Sequence, residues 1–428
     1  MSKQKKKAWV PKLRFPEFRE VGAWNISTIG EISSISSGGT PSRAKAEYWN
    51  GDISWISTTL INFNTIKIAN EYITKSGLQN SSTKIFPKNT ILMAMYGQGK
   101  TRGKVAILGI EAAINQACAA ITLKEGMNAN FVFQNLAARY DEIRKISNQG
   151  GQENLSAALI KKILFSYPDI NSGEQQKIAA CLSSLDDLIT AQTQKIDALK
   201  AHKKGLMQQL FPAEGETVPK LRFREFLGAG EWEEKRLADV CVKIMDGTHF
   251  SPKSKTGPYL YLTSKNIRNN QIDLSEVSYI SAEEHKNIYK RCPVKIYDVL
   301  LTKDGSNTGN CALNNINSEF SLLSSVAVLR GNSVLLNQNF LYQTILSEEF
   351  QKRIRESIAG QAITRITLEK IQRYSISLPC IQEQKCITAC LSSLDNVITF
   401  QTQKLDALKT HKKGLMQQLF PAVDEADK

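Results

Sequence analysis

The sequence has no apolar run of the about eighteen residues that a membrane-spanning helix requires. Its opening, Met1-Ser2-Lys3-Gln4-Lys5-Lys6-Lys7, is basic and leads into Pro11-Lys12-Leu13-Arg14 rather than an apolar export signal, so a cytoplasmic location is expected. The eight cysteines never form a Cys-x-x-Cys pair, and the four histidines lie apart from them. Neither a zinc site nor a disulfide framework is therefore signalled. Cys181 and Cys390 occupy duplicate helical positions and are expected to be buried thiols. No glycine-rich cofactor loop follows a strand, and no Asn-Pro-Pro-aromatic stretch suits amine methylation. His249 and His285 show no triad partners and read as surface or loop histidines. Acidic residues are also in deficit: 41 Asp and Glu face 55 Lys and Arg, a net charge of +14. Such a surplus favours a polyanionic partner, nucleic acid first and an anionic membrane second.

What the chain has is a duplication. Residues 174–211 return as residues 383–420, 209 positions later, with about four in five aligned positions identical. Ala180-Cys181-Leu182-Ser183-Ser184-Leu185-Asp186 becomes Ala389-Cys390-Leu391-Ser392-Ser393-Leu394-Asp395, and His202 to Pro212 becomes His411 to Pro421. Apolar residues alternate steps of four and three at Ile178, Leu182, Leu185, Ile189, Ile196, Leu199, Leu206 and Leu210. The copy repeats this at Ile387, Leu391, Leu394, Ile398, Leu405, Leu408, Leu415 and Leu419. Gln192 and Lys203, then Gln401 and Lys412, complete the two stripes. This heptad seam predicts a long helix packed along another helix, for which the other copy is the simplest partner. Each helix would span roughly 55 Å at 1.5 Å per residue and so act as a ruler. Pro212 and Pro421 end them. Twenty extended linker residues at about 3.3 Å each could return the chain for parallel packing, but antiparallel packing needs no such return and is favoured.

The repeat is larger than the helix. Val10-Pro11-Lys12-Leu13-Arg14-Phe15 recurs as Val218-Pro219-Lys220-Leu221-Arg222-Phe223, and Gly22-Ala23-Trp24 as Gly230-Glu231-Trp232. Between them only an outline survives, including Gly38-Gly39-Thr40 against Asp246-Gly247-Thr248 and Thr90-Ile91-Leu92-Met93 against Asp298-Val299-Leu300-Leu301. Short β-rich runs split by Gly, Asn and Ser read as strands and turns. The expected fold is therefore α+β: two pseudo-symmetric globular domains separated by an antiparallel pair of long coiled-coil helices. The expected boundaries are 1–173 for the first domain, 174–211 for its helix, 212–382 for the second domain, 383–421 for its helix and 422–428 for a tail. Near-identical helices beside diverged domains imply that equal helices are required while different domains are permitted or rewarded.

Two catalytic resemblances fail on their own terms. Ala94-Met95-Tyr96-Gly97-Gln98-Gly99-Lys100-Thr101 fits a relaxed phosphate loop, but such a loop must open into a helix, and Arg102 to Leu108 reads as a strand. Pro168-Asp169 is followed by Glu174-Gln175-Gln176-Lys177, which is one residue too long for the carboxylate and lysine spacing of a nuclease. Glu383-Gln384-Lys385 has that spacing, yet Cys380 replaces the aspartate. Both glutamates instead suit the positive end of a helix. No catalytic or metal-ligating residue is expected.

Polar, glycine-rich loops remain as candidates for DNA contact. One set is Gln98, Lys100, Arg102 and Lys104, matched by Lys303, Asp304, Ser306, Asn307 and Thr308. A second is Ser42, Arg43 and Lys45, matched by Thr248, His249 and Lys253. A third is Gln149 and Gln152, matched by Gln361 and Arg365. Cations hold phosphates, while Arg, Asn and Gln can read base edges with two hydrogen bonds.

In order and in duplicate, the Trp24 and Trp232 unit starts, Gly38-Gly39-Thr40-Pro41-Ser42, Gly151-Gln152 with Gly360-Gln361, Pro168 and Pro379 leading into Glu174-Gln175 and Glu383-Gln384, and the twin helices resemble a specificity subunit of a type I restriction-modification enzyme. The resemblance covers essentially all 428 residues. It implies two target-recognition domains, each reading half of a bipartite site on double-stranded DNA. It further implies two modification subunits that bind S-adenosylmethionine and methylate adenine N6 after base flipping, and restriction subunits that use ATP and Mg²⁺. Those cofactors would belong to the partners, leaving this chain non-catalytic. The alternative is a coiled-coil adaptor joining two protein-binding domains.

Overall fold

The two longest helices run Glu174–Leu210 and Ile381–Leu419. A computed structural model describes residues 9–97, 100–146, 154–268, 271–360 and 364–421. The chain divides inside both helices rather than at their ends: one unit holds residues 1–193 with 403–428, the other residues 194–402.

The first unit is built on the five-stranded sheet ordered Ser33–Ser37, Cys118–Leu123, Ile91–Ala94, Val105–Leu108 and Thr65–Ile66. Side chains alternate along a strand, so one strand can serve two cores. Ile91, Met93, Val105 and Ile107 enter a core with the helix Ala129–Ala138, whereas Leu92, Ala94, Ala106 and Leu108 enter a second core beside Ile56 and Phe86. A four-stranded sheet containing Trp49–Ile56 and Ala112–Ile114 lies on that second side. Trp24 packs on Phe131 with ring centroids 5.6 Å apart, and Phe131 also meets Phe420 at 5.6 Å. The unit-start tryptophan is thus a core residue.

The second unit repeats this plan with the sheet order Cys241–Asp246, Val326–Gly331, Val299–Thr302 and Cys311–Leu313. Val299 and Leu301 face the core holding the helix Gln338–Leu346, while Leu300 faces a core with Leu262 and Phe320. Phe340 meets Phe211 at 5.4 Å and Trp232 at 5.8 Å, reproducing the aromatic cluster of the first unit.

Within each unit the helix segments are antiparallel. In the first, Asp186 bonds Lys412 at 2.5 Å, while Ile178 and Leu182 share a core with Leu415, Leu419 and Phe420. In the second, Lys203 reaches both carboxylate oxygens of Asp395 at 2.7 Å, while Leu206 and Leu210 share a core with Ile387 and Leu391. Along the two stripes Leu182, Ile196, Leu391 and Leu405 are buried, and Leu185, Ile189, Leu199, Leu206, Leu394, Ile398, Leu408 and Leu415 are half-buried.

The polar seam positions have a local use. Asp186 also accepts from Gln134 Nε2 at 2.6 Å, and Asp395 from Gln343 Nε2 at 3.0 Å. Each aspartate therefore ties a domain helix and both long helices together in one unit. Asp395→Ala strands Lys203, whose side chain is 9% exposed, and removes the acceptor of Gln343. Losing these bonds is expected to lower stability by about 1–3 kcal/mol, read as a lower urea midpoint at unchanged slope.

The helix starts are fixed more firmly than a helix dipole alone would fix them. Glu174 accepts from Arg14 at 2.8 and 2.6 Å, and Glu383 from Arg222 at 2.7 and 2.8 Å. The adjacent glutamines receive Asn128 N at 3.0 Å and Asn337 N at 2.8 Å. Those asparagines in turn cap Phe131 N at 3.0 Å and Phe340 N at 3.1 Å. A repeated Glu-Gln pair thus clamps the unit start and the domain helix onto the long helix.

All eight cysteines are free thiols. Cys181 and Cys390 are half-buried rather than buried, because their positions flank the seam instead of lying in it. Burial pushes the thiols of Cys118, Cys241 and Cys292 up to about 12, which keeps them protonated at neutral pH. Among the described residues no helix is long and apolar enough to cross a membrane.

Candidate nucleic-acid interface

Strand order decides which loops can share a surface. In the first domain Ser33–Ser37 and Ile91–Ala94 both pair antiparallel with Cys118–Leu123, so they run parallel to each other. Their exits lie on one sheet edge, two strand spacings or about 10 Å apart. Cys241–Asp246 and Val299–Thr302 have the same relation through Val326–Gly331 in the second domain. Topology therefore brings the first two candidate sets of each domain to one edge.

The loop after Ser37 is held by backbone. A Cβ on Gly38 would lie 1.9 Å from Ile114 O, and one on Gly247 would lie 1.8 Å from Leu322 O, so both positions require glycine. Gly39 N donates to Ile114 O at 2.9 Å and Thr248 N to Leu322 O at 2.8 Å. These bonds correct the sequence alignment by one residue: Gly38 corresponds to Gly247 and Ser37 to Asp246. The cause is an irregularity between Cys241 and Lys243, where one extra residue enters the strand.

In the first domain Ser42, Arg43 and Lys45 are exposed. The Arg43 guanidinium lies 3.7 Å above the Trp49 ring centroid and bonds Glu71 at 2.5 Å. Trp49 Nε1 donates to Ser42 O at 3.1 Å, so ring and loop fix each other. Lys45 donates to the Tyr48 hydroxyl at 3.0 Å, which raises the lysine pKa above its ordinary value. Lys100 is exposed, and its carbonyl accepts from the Tyr140 hydroxyl at 2.5 Å. Lys104 is half-buried and donates to Asn62 Oδ1 at 2.8 Å. Arg102 does not belong to this exposed set: it is 7% exposed and its Nη2 donates to Arg144 O at 3.0 Å, fastening the loop to the helix Tyr140–Lys145. The segment then enters the strand Val105–Leu108, so it lacks the helix a phosphate loop needs.

In the second domain Thr248 Oγ1 accepts from Phe250 N at 3.2 Å, closing a turn that leaves His249 and Phe250 exposed. Lys253 is exposed while its backbone N bonds Glu284 at 2.6 Å. The Ser254 hydroxyl and this amide hold the Glu284 carboxyl below its ordinary pKa. Asp304 and Arg365 form an isolated antiparallel bridge, and Gly305 N donates to Thr364 O at 3.0 Å. Thr308 Oγ1 donates to Gly305 O at 2.7 Å, Asn307 Nδ2 lies 3.4 Å from Ser264 O, and Ser306 is exposed. Arg365 thus joins the second-domain loops at that edge. Lys303 is the inward exception, 1% exposed and 3.2 Å from Asp246. Gln98, Gln149, Gln152 and Gln361 lie outside the described residues.

His285 is also corrected, from a surface or loop residue to a buried one. It sits in the helix Ala282–Arg291, stacks on Tyr259 at 3.7 Å and lies 3.0 Å from Ser321 Oγ and 3.3 Å from Glu319 Oε2. Ser321 is fully buried on the strand Phe320–Leu322, so this Ser-His-Glu grouping presents no nucleophile to a substrate. His249 is the exposed loop residue expected, 3.7 Å from Asp246 Oδ1. Among the described residues no three His, Cys, Asp or Glu side chains are placed to hold a metal.

Two diverged domains with loops gathered at a sheet edge, each followed by one of two near-identical helices, define a duplicated recognition module. The chain belongs to the family described as the type I restriction modification DNA specificity domain, whose pattern matches residues 22–201 and again 229–410. It is 25% identical over 377 residues to the type I restriction enzyme MjaIX specificity subunit of Methanocaldococcus jannaschii, covering 83% of each chain. It is 24% identical over 421 residues to the MjaVIII specificity subunit of the same organism, covering 95% of this chain and 93% of that one. A 181-residue stretch is 30% identical to the EcoR124I/EcoR124II specificity subunit of Escherichia coli, covering 41% of this chain and 44% of that one. The crystal structure of the type I restriction-modification S subunit from M. genitalium shares the fold, with a TM-score of 0.60 at 17% identity, over 97% of this chain and 100% of that one.

Proposed function

We propose that this chain is the non-catalytic, sequence-reading subunit of a type I restriction-modification complex. Each domain reads one half of a bipartite site on double-stranded DNA through its sheet-edge loops. Two modification subunits, carrying S-adenosylmethionine, then methylate adenine N6, and restriction subunits using ATP and Mg²⁺ act on unmodified sites. The observation that carries the reading is the contrast within one chain: the same sheet frame and the same helix clamps support edges of different chemistry, Arg43 on Trp49 in one domain and Asp304 beside Arg365 in the other. An adaptor for two protein ligands gives no reason for membership of a DNA specificity family.

Exposed cations supply phosphate contacts that position the protein, and base-edge contacts supply discrimination of about 1–3 kcal/mol each. The test exchanges residues 25–150 for the matching region of a relative and maps methylated adenines in cells that contain the partner subunits. One half of the recognised site is expected to change while the other half stays as it was. Unchanged recognition, or loss of both halves in a folded protein, would count against the proposal.

A further inference from the structure

At one strand exit the two domains carry opposite chemistry on the same backbone. Met95 N donates to Ala117 O at 2.9 Å and Met95 O accepts from Leu155 N at 2.9 Å; Lys303 N donates to Ser325 O at 2.9 Å and Lys303 O accepts from Ile366 N at 2.8 Å. Met95 and Lys303 are therefore equivalent, and so are the next residues, Tyr96 and Asp304. Met95 is an ordinary member of its core. The fold consequently does not need a buried lysine there, nor a carboxylate where the first domain has Ser37 in place of Asp246.

The second domain nevertheless has all three charges. Lys303 Nζ lies 3.2 Å from Asp246 Oδ2 and 3.6 Å from Asp304 Oδ2, and Arg365 Nε lies 3.3 Å from Asp304 Oδ1. The Asp304 side chain is 26% exposed; its Oδ1 is buried against Arg365, so the carboxylate oxygen it can present outward is Oδ2. A carboxylate on a surface that meets phosphates is repelled unless cations offset it. Lys303 and Arg365 do so here, leaving an acceptor whose charge is locally balanced. Phosphates offer such an acceptor no proton. The exocyclic amino groups of bases do, cytosine N4 and adenine N6 in the major groove.

Resting on the reading of the second domain as DNA-binding, we propose that Asp304 reads a base amino group in its half-site and that Lys303 is a positioning residue that touches no DNA. Lys303 holds the Asp304 carboxylate from below, with Asp246 as its second anchor.

The test uses the full chain, assembled with its modification subunits, and a library of duplexes randomised across both half-sites. Asp304→Asn keeps shape and leaves Lys303 paired with Asp246, but adds an amide donor. It is expected to cut discrimination at a single base pair of one half-site by roughly tenfold to a hundredfold. The other half-site and the salt dependence stay unchanged, since no phosphate contact is lost. The double variant D246N/K303M restores the uncharged lining of the first domain and is expected to fold, with weakened discrimination at that same base pair. Discrimination unchanged at every position, or affinity lowered equally for all sequences, overturns the proposal while leaving the domain a DNA reader. A wild-type complex with no two-part preference overturns the underlying reading and this assignment together.

Discussion

Glu383→Ala is expected to lower the unfolding free energy by about 3–5 kcal/mol, and Glu174→Ala by a similar amount. Both carboxylates are almost fully buried against arginine: side-chain exposures are 7% and 1% for Arg222 and Glu383, and 6% and 0% for Arg14 and Glu174. Arginine cannot shed its proton to escape an apolar site, so removing the glutamate leaves a buried cation with only carbonyl partners. For Arg222 these are the oxygens of Ala229 and, at 3.0 Å, Gly230. Replacing both partners tells the pair's attraction from the cost of a stranded charge. R222M/E383M removes two desolvated charges at once and is expected to lie within about 1 kcal/mol of the wild type. The checks are urea unfolding curves for the two single variants and the double variant. A single alanine variant as stable as the wild type would show that the clamp contributes little.

The helix stripe was legible because a 3.5-residue period survives any detail of the domains, and the buried and half-buried positions from Leu182 to Leu415 follow it. The parity of the strands was equally available. Val299 and Leu301 point into one core, so Lys303 at the next odd position lies on that same side and Asp304 on the opposite one. The polar, glycine-rich loop masks that alternation, so from sequence Lys303 reads as a cation for DNA. The off-by-one match of Gly38 with Asp246 had no such signal. The extra residue near Val242 changes only backbone pairing, and nothing in Cys241-Val242-Lys243 marks it. The Arg14 and Arg222 clamps join residues 160 and 161 positions apart, a distance over which sequence periodicity carries no information. Repetition could have found them: Arg and Glu recur together in both copies, as do Asp186 with Lys412 and Asp395 with Lys203.

The register of those last pairs makes a spacer experiment clean. One heptad of each helix, Ile189 to Lys195 and Ile398 to Lys404, falls within the stretch between its Asp and its Lys. Deleting both heptads rejoins the seam at its own step of four and three, and it leaves Asp186 with Lys412 and Lys203 with Asp395 in register. The helices would shorten by about 10 Å at 1.5 Å per residue. Along duplex DNA that is roughly three base pairs at 3.4 Å each. The expected result is a complex with both half-site preferences intact but an unspecified spacer about three base pairs shorter. On DNA of the original spacing its affinity should fall towards the non-specific level, roughly 10³-fold or more. Three base pairs also turn the duplex by roughly 100°, given about 10.5 per turn. A heptad removed from a helix pair shifts the seam by only about 20°. The shortened complex is therefore expected to prefer the shorter spacer while binding it less tightly than the wild type binds its own. Selection from duplexes with fixed half-sites and variable spacers reads both quantities, and altered half-sites with an unchanged spacer would sink the idea that the helices set the distance.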